Sequence, residues 1–391
     1  MSTKCQIEKI FLVLAFLLPT LANAEVEWYG QVNRGFLFVD DGYDKKTFFV
    51  DSAYDNSLVG IKGNNNLNED NNVGGQLELL VMPNASNDVS VNAVSQLDNH
   101  GKSKNIKFGL VDFWASNSKV GRFSLGRGNM ASKNTGTVTL SGTDLISYAG
   151  AADMAGGMYF HPQGVDRSVQ STDATQIGGD GGIFVPISGA GTVDRIRYDS
   201  PKFGAFVLST SVGKYKSDAI NKNCADLGLT YEDFIGEFKL KGAAAIMGHS
   251  KDNDVQAKRG YDGSFAILHV NTGLNAAVSY GEQKNQITNP PQIVSNGKNR
   301  KFHYVQVGKQ ADLIEYGKTN FAVDYWGSNN SAQDYDKARA CSVGVVQKLD
   351  KLKTELYFGI RNYRYEKSGQ KYDRILAALL GFKISFIGKI S

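Results

Sequence analysis

Proline and cysteine are both scarce in this chain. Only 7 prolines stand against 43 glycines among 391 residues, and aromatic residues make up 11% of the chain. Abundant glycine and aromatic residues with little proline are typical of many strands joined by turns rather than of long helices. With 41% apolar and 21% charged residues, the composition is that of an ordered protein and excludes a disordered one.

The few cysteines restrict covalent chemistry. Cys5 precedes the apolar stretch of the N-terminal segment, so it cannot be a lipid-attachment cysteine placed after such a stretch. Cys224 and Cys341 remain. A disulfide between them in an oxidising compartment and two separate thiols are both compatible with the sequence.

Long hydrophobic runs are absent after residue 24, which excludes a spanning helix of about 20 residues there. Before that point, Lys4 and Lys9 form a basic start, residues 10–18 an apolar stretch, and residues 22–24 (Ala-Asn-Ala) a small-residue cleavage site. This pattern predicts an export signal, residues 1–24, that is removed after Ala24. The apolar stretch is about half the length of a membrane anchor.

The remaining chain, residues 25–391, is interpreted as one domain. An exported protein without a spanning helix is soluble in the periplasm, secreted, or a β-barrel, because lipid tolerates only helices and closed barrels.

Catalytic and metal-binding patterns are also missing. The five histidines show no metal-ligand spacing, and no Gly-x-Ser-x-Gly occurs. "GRGNMA" (126–131) matches a dinucleotide fingerprint, but "SKNTGTVTL" follows it instead of a helix. The net charge of +4, about +3 without the two lysines and one glutamate of the signal, is too small to predict a nucleic-acid partner. We therefore predict no enzyme and no cofactor.

The pattern that is present is alternation. In residues 205–214, Phe206, Leu208 and Val212 share one face, and residues 319–326, 354–362 and 382–386 alternate in the same way. Polar breaks of different length, such as "NSKVG" (117–121) and "TNPPQIVSNGKN" (288–299), separate these segments. The pattern predicts two-faced strands joined by tight turns at one rim and longer loops at the other.

The polar faces carry charges, namely Asp324, Glu355, Arg361 and Lys383. A soluble β-sandwich, the alternative architecture, would have to bury and pair them, whereas a water-filled lumen leaves them solvated. The sequence therefore predicts an all-β protein, a transmembrane antiparallel β-barrel. Aromatic residues near the predicted strand ends are interpreted as interface girdles: Trp28, Tyr29, Trp114, Tyr325 and Trp326.

Five segments carry a family resemblance. They are "EVEWYGQVNRG" at residue 25, "SLVGIKGNNNLNEDNNVGGQLELLV" (57–81), "DFWASNSKVGRFSLGRGN" (112–129), "RIRYDSPKFGAFVLSTSVG" (195–213) and the closing "ALLGFKISF". Their motifs, order and spacing resemble those of the Gram-negative general porins. The resemblance implies a 16-stranded barrel in the outer membrane, a homotrimer among outer-membrane lipids, and a long connection, residues 128–194, folded into the lumen.

Two features depart from that family. Its members commonly end on the aromatic residue of the last strand, whereas five residues follow Phe386 here. Arg34 has the parity of Trp28, Val32 and Phe36, which directs it to lipid or to a subunit interface unless a bulge intervenes.

Porins of this kind work through charges of opposite sign on opposite walls of a constriction. By parity and by motif, the candidates for the basic wall are Lys62, Arg127, Arg195 and Arg197; the candidates on the inward loop are Asp144 and Asp153. Each arginine could instead face headgroups at the rim or form a salt bridge behind the loop.

The predicted function is passive diffusion of small hydrophilic solutes and ions. The alternatives are a substrate-preferring porin of the same fold, a plugged barrel with a structural or adhesive role at the surface, and a secreted β-sandwich binding module.

Overall fold

The computed structural model describes residues 25–91, 106–164, 175–178, 182–187, 191–216, 221–250, 258–284, 298–332 and 334–390. The predicted signal segment and its cleavage site lie outside these residues. Within these ranges, no helix is long and apolar enough to cross a membrane.

The described residues form twenty β-strands. Their bounds are β1 Glu25–Asp40, β2 Lys45–Asp51, β3 Leu58–Asn66, β4 Asn71–Val81, β5 Ile106–Asn117, β6 Gly121–Asn129, β7 Tyr159–Phe160, β8 Thr175–Gln176, β9 Thr192–Asp199, β10 Phe206–Lys216, β11 Asn221–Ile235, β12 Phe238–His249, β13 Lys258–His269, β14 Leu274–Lys284, β15 Arg300–Ile314, β16 Gly317–Asn329, β17 Lys337–Leu349, β18 Thr354–Lys367, β19 Gln370–Lys371 and β20 Ile375–Ile390.

Sixteen of these strands close into an antiparallel barrel, as predicted. The ring runs from β1 through β3–β6 and β9–β18 to β20, and β20 pairs back onto β1 from Val26↔Ile390 to Asp40↔Leu376. Strand β2 pairs with residues 34–40 of β1, and β3 pairs with residues 25–31. The two strands therefore act as one wall strand with a break at residues 52–57. Strand β19 only extends the hairpin of β18, and β7 and β8 form a separate small sheet.

The two faces of the strands differ as the alternation predicted. Phe206, Leu208 and Val212 point outward and are exposed, whereas Ser209 and Ser211 point inward and are buried. The same holds for Phe321 and the other apolar residues of its parity on β16. An outer surface of exposed apolar side chains is what a lipid-facing barrel requires.

The two rims are built differently. Short turns join the strands at the rim where β1 begins and β20 ends, and we call this the turn rim; the long connections lie at the opposite rim. Residues 387–390 continue β20 and pair with residues 26–29 of β1. The residues after Phe386 therefore lengthen the closing strand.

The connection between β6 and β9, residues 130–191, is called the inward loop below, and its described residues fold into the barrel. Its ends lie two or three residues inside the predicted 128–194 segment. It carries a short 3-10 turn at Ala151–Asp153 and the strands β7 and β8. Its apolar side chains, such as Ile146, Met158 and Phe184, join wall residues of the same character in a buried cluster. The loop therefore has a hydrophobic core of its own inside the lumen.

Glycines on the wall make room for large inward aromatic rings. A Cβ at Gly74 would lie 2.3 Å from the ring of Trp114, and one at Gly60 would lie 2.4 Å from that of Tyr29. Tyr29, Trp114 and Trp326 all point inward, where Tyr29 donates to Glu78 and both tryptophans are buried, so the interpretation of these three as interface girdle residues is wrong. Nearness to a strand end does not decide which face a side chain takes; parity does.

The structure answers two questions that the sequence left open, the pairing of the cysteines and the direction of Arg34. Cys224 and Cys341 are free thiols, the first buried and the second exposed. Arg34 lies on the outward side of a β1 whose pairing with β20 has no register shift. Its guanidinium lies 3.3 Å from the carboxylate of Asp51.

A charge placed on the outer face tests its contact with lipid. Val323 lies outward in the middle of β16 and is half exposed. We expect Val323→Arg to lower the free energy of unfolding in lipid vesicles by about 2–4 kcal/mol, because the guanidinium would sit near the bilayer centre. Val270→Arg, in the turn after β13, should cost no more than about 1 kcal/mol. Urea titration of both variants measures the difference, and equal costs would contradict a lipid-facing position for Val323.

Candidate functional site

A buried ion pair on the inner face of the wall, between β16 and β18, fastens the inward loop. Arg361 on β18 donates to the carboxylate of Asp324 on β16 over 2.8 Å, and both side chains are almost fully buried. The same carboxylate accepts from Ser147 of the loop and from Ser342 on β17, each over 2.5 Å. A charge taken out of water needs this many partners to be stable.

Further polar contacts guide the loop around the wall. Asp226 on β11 accepts from the backbone N–H of Ser132 over 2.8 Å, and Asp262 on β13 accepts from Thr135 over 2.5 Å. Gln306 on β15 donates to the carbonyl of Ser147 over 2.8 Å. Inward side chains of the alternate strands β11, β13 and β15 thus fix the path of the loop.

These contacts correct one expectation. Asp324 and Arg361 face the lumen as predicted, but they are buried and paired beneath the loop and are not in open water. The strand pattern identifies the inward face, whereas the connection that covers it comes from a distant part of the chain.

Two predicted basic residues hold the start of the loop. Arg195 makes a bidentate pair with Asp112, over 2.9 and 2.7 Å, and is buried. Arg197 pairs with Asp199 and donates to the carbonyls of Asn129 and Met130 over 3.2 and 3.0 Å. Both arginines point inward as predicted, and both are engaged in ion pairs; Arg197 keeps about a quarter of its side chain exposed.

The other two basic candidates separate. Arg127 shares the outward face of β6 with Leu125 and pairs in register with Asp194, so its assignment to the pore wall is wrong. Arg127 had been assigned to the pore wall from its match to a family motif and not from its position in the alternating pattern. Lys62 remains a lumenal side chain: it is exposed, and its ammonium lies 5.8 Å from the ring centre of Trp114.

Both acidic candidates lie on the inward loop. Asp144 is hydrogen-bonded to Tyr54, and burial raises the pKa of Asp144 although Lys241 and Lys348 oppose that shift. Asp153 accepts from Tyr148, and its backbone carbonyl accepts from Ser86. Burial raises the pKa of Asp153 to about 7, and the charge of Arg361 acts in the opposite direction.

The break between β2 and β3 also enters the lumen, which the sequence analysis missed. Tyr54 in this break packs edge-on against Tyr148 of the loop, with ring centres 4.5 Å apart. Asp55 lies 3.0 Å from Lys383, and Lys383 also pairs with Glu355 over 2.6 Å. The interruption of alternation at "SAYDNS" (52–57) was the available signal. The inward loop therefore contacts the wall at the break between β2 and β3.

The family follows from comparison with known proteins. A family model described as Gram-negative porin matches residues 11–368. The chain belongs to this family. It is an outer-membrane porin, and membership of this family supports a channel function. No curated protein sequence matches the porin significantly.

Solved structures share the fold. The porin aligns with an anion-selective porin from Comamonas acidovorans at 14% identity and a TM-score of 0.60, over 93% of this chain and 100% of that one. It aligns with the trimer form of OmpT from Vibrio cholerae at 12% identity and 0.56, over 93% and 100%. The channel DcaP of Acinetobacter baumannii gives 14% and 0.55, over 93% and 98%. At these identities the likeness extends to the fold alone.

The buried pair of the porin can be tested by removing one partner. In Arg361→Gln, Asp324 keeps its charge without the cation, which should weaken loop attachment by about 3–5 kcal/mol. We expect faster protease cleavage within residues 130–191 and a larger conductance. The double variant Arg361→Gln/Asp324→Asn should recover most of the protection. Equal cleavage of the single variant and the unmodified porin would contradict the anchoring role.

A pH dependence follows from Asp153. The folded porin keeps a proton on this side chain up to about pH 7, whereas the ordinary value is 3.8. Its contribution to stability is therefore complete below about pH 4 and is lost as the pH rises to about 7. In Asp153→Asn this loss should disappear. Thermal unfolding between pH 4 and 8 measures the difference, with Glu69→Gln in an exposed turn as control. Parallel curves for Asp153→Asn and the unmodified porin would contradict it.

Proposed function

We propose that this porin is a narrow, passive diffusion channel for small hydrophilic solutes and ions. The proposal depends on the asymmetry of the lumen. The inward loop packs its apolar core against one part of the wall, from β12 to β20 and onto β1. On the wall from β3 to β9, polar side chains such as Lys62, Glu78 and Arg197 keep exposed surface. A solute path along that wall would carry fixed charges, which order water and favour polar solutes.

The charge arrangement supports selectivity by sign. Lys62 on the wall and Asp144 on the loop are the predicted residues that remain as candidates for opposite sides of the path. Arg195 and Arg197 contribute through loop placement, since each is already paired with an aspartate. Asp153 lies inside the loop near Arg361, so it would contribute to the position of the loop and not to the charge of the path.

Assembly as a homotrimer is part of the proposal. The guanidinium of Arg34, which pairs with the buried Asp51, is partly exposed on the outer surface of the barrel, where lipid cannot solvate charge. Contact with a second copy would cover it with protein. The trimer form of the Vibrio cholerae protein, which shares the fold, is consistent with this arrangement. Removal of the signal after Ala24, leaving Glu25 first, completes the proposal.

The apolar core of the loop favours one competing function, a barrel that the loop closes. A lumen packed with buried hydrophobic side chains would conduct nothing, and the porin would then act through its surface.

Conductance across a planar bilayer separates these functions. We expect stepwise openings in groups of three from the refolded mature porin. In a salt gradient, Lys62→Gln should shift the reversal potential toward cation preference, and Asp144→Asn toward anion preference, because each removes one fixed charge from the path. Lys309→Gln, on the outer face, is the matched control and should leave the potential unchanged. A correctly folded trimer that stays silent would support the closed barrel instead.

A further inference from the structure

A cavity of about 350 Å³ opens at the turn rim of the lumen. Strands β1, β3, β4, β5 and β6 supply its lining: two glutamates, a lysine, an arginine, three asparagines, a serine and a tryptophan. Its volume lies within the range of about 300–1,000 Å³ that is typical of small-molecule sites. Among the described residues, none of the contacts that fasten the inward loop uses these side chains.

One wall of this cavity is a preformed cationic shelf. The ring of Trp114 is buried, is accommodated by Gly74, and donates its Nε1–H to Asn72 over 3.2 Å. The guanidinium of Arg122 lies 4.5 Å from the centre of this ring, and Lys62 approaches the ring to 5.8 Å. Stacking on an indole orients a guanidinium and limits its freedom, which favours bidentate binding of a carboxylate.

The two cations of the shelf form no ion pair with the described residues. In the part of the chain that the structure describes, neither Lys62 nor Arg122 has a carboxylate oxygen within 4.0 Å. The acids whose charge acts on Arg122 are Asp112 and Asp199. Each is already paired with another arginine, at 2.7 Å. The shelf therefore has unused capacity for an anion.

Acidic groups face the same cavity from the neighbouring strand. Glu27 on β1 pairs in register with Lys62 on β3, and Glu25 pairs with Asn64. Directly opposed residues on neighbouring strands have their Cβ atoms about 5 Å apart. One cavity thus presents a positive and a negative side within the length of a small molecule. The glutamates would repel a simple anion, and the shelf would repel a simple cation.

We propose that this cavity binds a zwitterionic solute, an amino acid or short peptide. Its carboxylate would bind Arg122 and Lys62, and its ammonium group Glu27, because the carboxylate of Glu25 lies beside the α-ammonium group of the mature chain. The asparagine amides beside them suit the peptide groups of such a solute. The inference rests on the proposed channel function, since it assigns the class of solute that the porin retains at its turn-rim mouth.

Two measurements with defined probes test the site. Triglycine, succinate, cadaverine and triethylene glycol represent a zwitterion, a dianion, a dication and a neutral chain. We expect triglycine to block the open-channel current saturably and to bind the detergent-folded porin in calorimetry, with the other three weaker. Arg122→Gln and Glu27→Gln should each weaken triglycine binding by about tenfold, the loss of one charge-assisted contact. Lys309→Gln and Glu315→Gln, both exposed outside the cavity, are the matched controls.

A second variant tests the shelf without removing a charge. Gly74→Ala would bring a methyl group to within 2.3 Å of the Trp114 ring, so the ring and the guanidinium stacked on it must shift. We expect weaker triglycine binding although Arg122 and Lys62 remain. Heat-modified migration on a gel shows that each variant forms the barrel.

The outcomes keep the two proposals apart. Stronger binding of succinate than of triglycine, with a gain in Glu27→Gln, would mean a plain anion site and overturn the zwitterion assignment. Equal weak binding of all four probes would overturn the site while conduction persists. Calorimetric binding of triglycine by a porin that never conducts would keep the site and overturn the proposed channel function.

Discussion

Lipid offers no hydrogen-bond partners, and the whole molecule depends on how its backbone answers this constraint. Every wall strand pairs with a neighbour on each side, and the pairing of β1 with β20 closes the ring. Closure divides the side chains of each strand between lipid and lumen. Most outward residues are consequently apolar and exposed, and most polar groups of the wall turn toward the interior.

The interior then has two different parts. On one side, the inward loop builds a hydrophobic core against the wall, and the buried Asp324–Arg361 pair gives it a fixed position. On the other side, the wall from β3 to β9 keeps charged groups in reach of water. The paired arginines Arg195 and Arg197 stand at the boundary, because they hold the first residues of the loop. An inward arginine can thus hold the loop in place, as Arg195 and Arg197 do on β9, or remain available to a solute, as Arg122 does on β6.

Alternation along single strands predicts the faces of this barrel well. Parity placed Arg34 outward and Asp324, Arg195 and Arg197 inward, and the structure agrees. Arg127 was assigned from a short motif against its parity, and Trp114 from its place near a strand end; both assignments were wrong. What no local pattern can predict is which inward charges the loop covers. Burial of Arg361 depends on Ser147, more than two hundred residues earlier in the chain.

The closing seam joins the first strand of the barrel to the last. Residues 26–40 find their partners at 376–390, close to the largest sequence separation that this chain allows. The entropy of bringing such distant segments together must be met before their contacts form, so topology of this kind folds slowly. Until then the partly formed sheet has two open edges, β1 and β20, each able to pair with another chain. The seam that makes the finished barrel complete is thus the step at which the unfinished one is most exposed to aggregation.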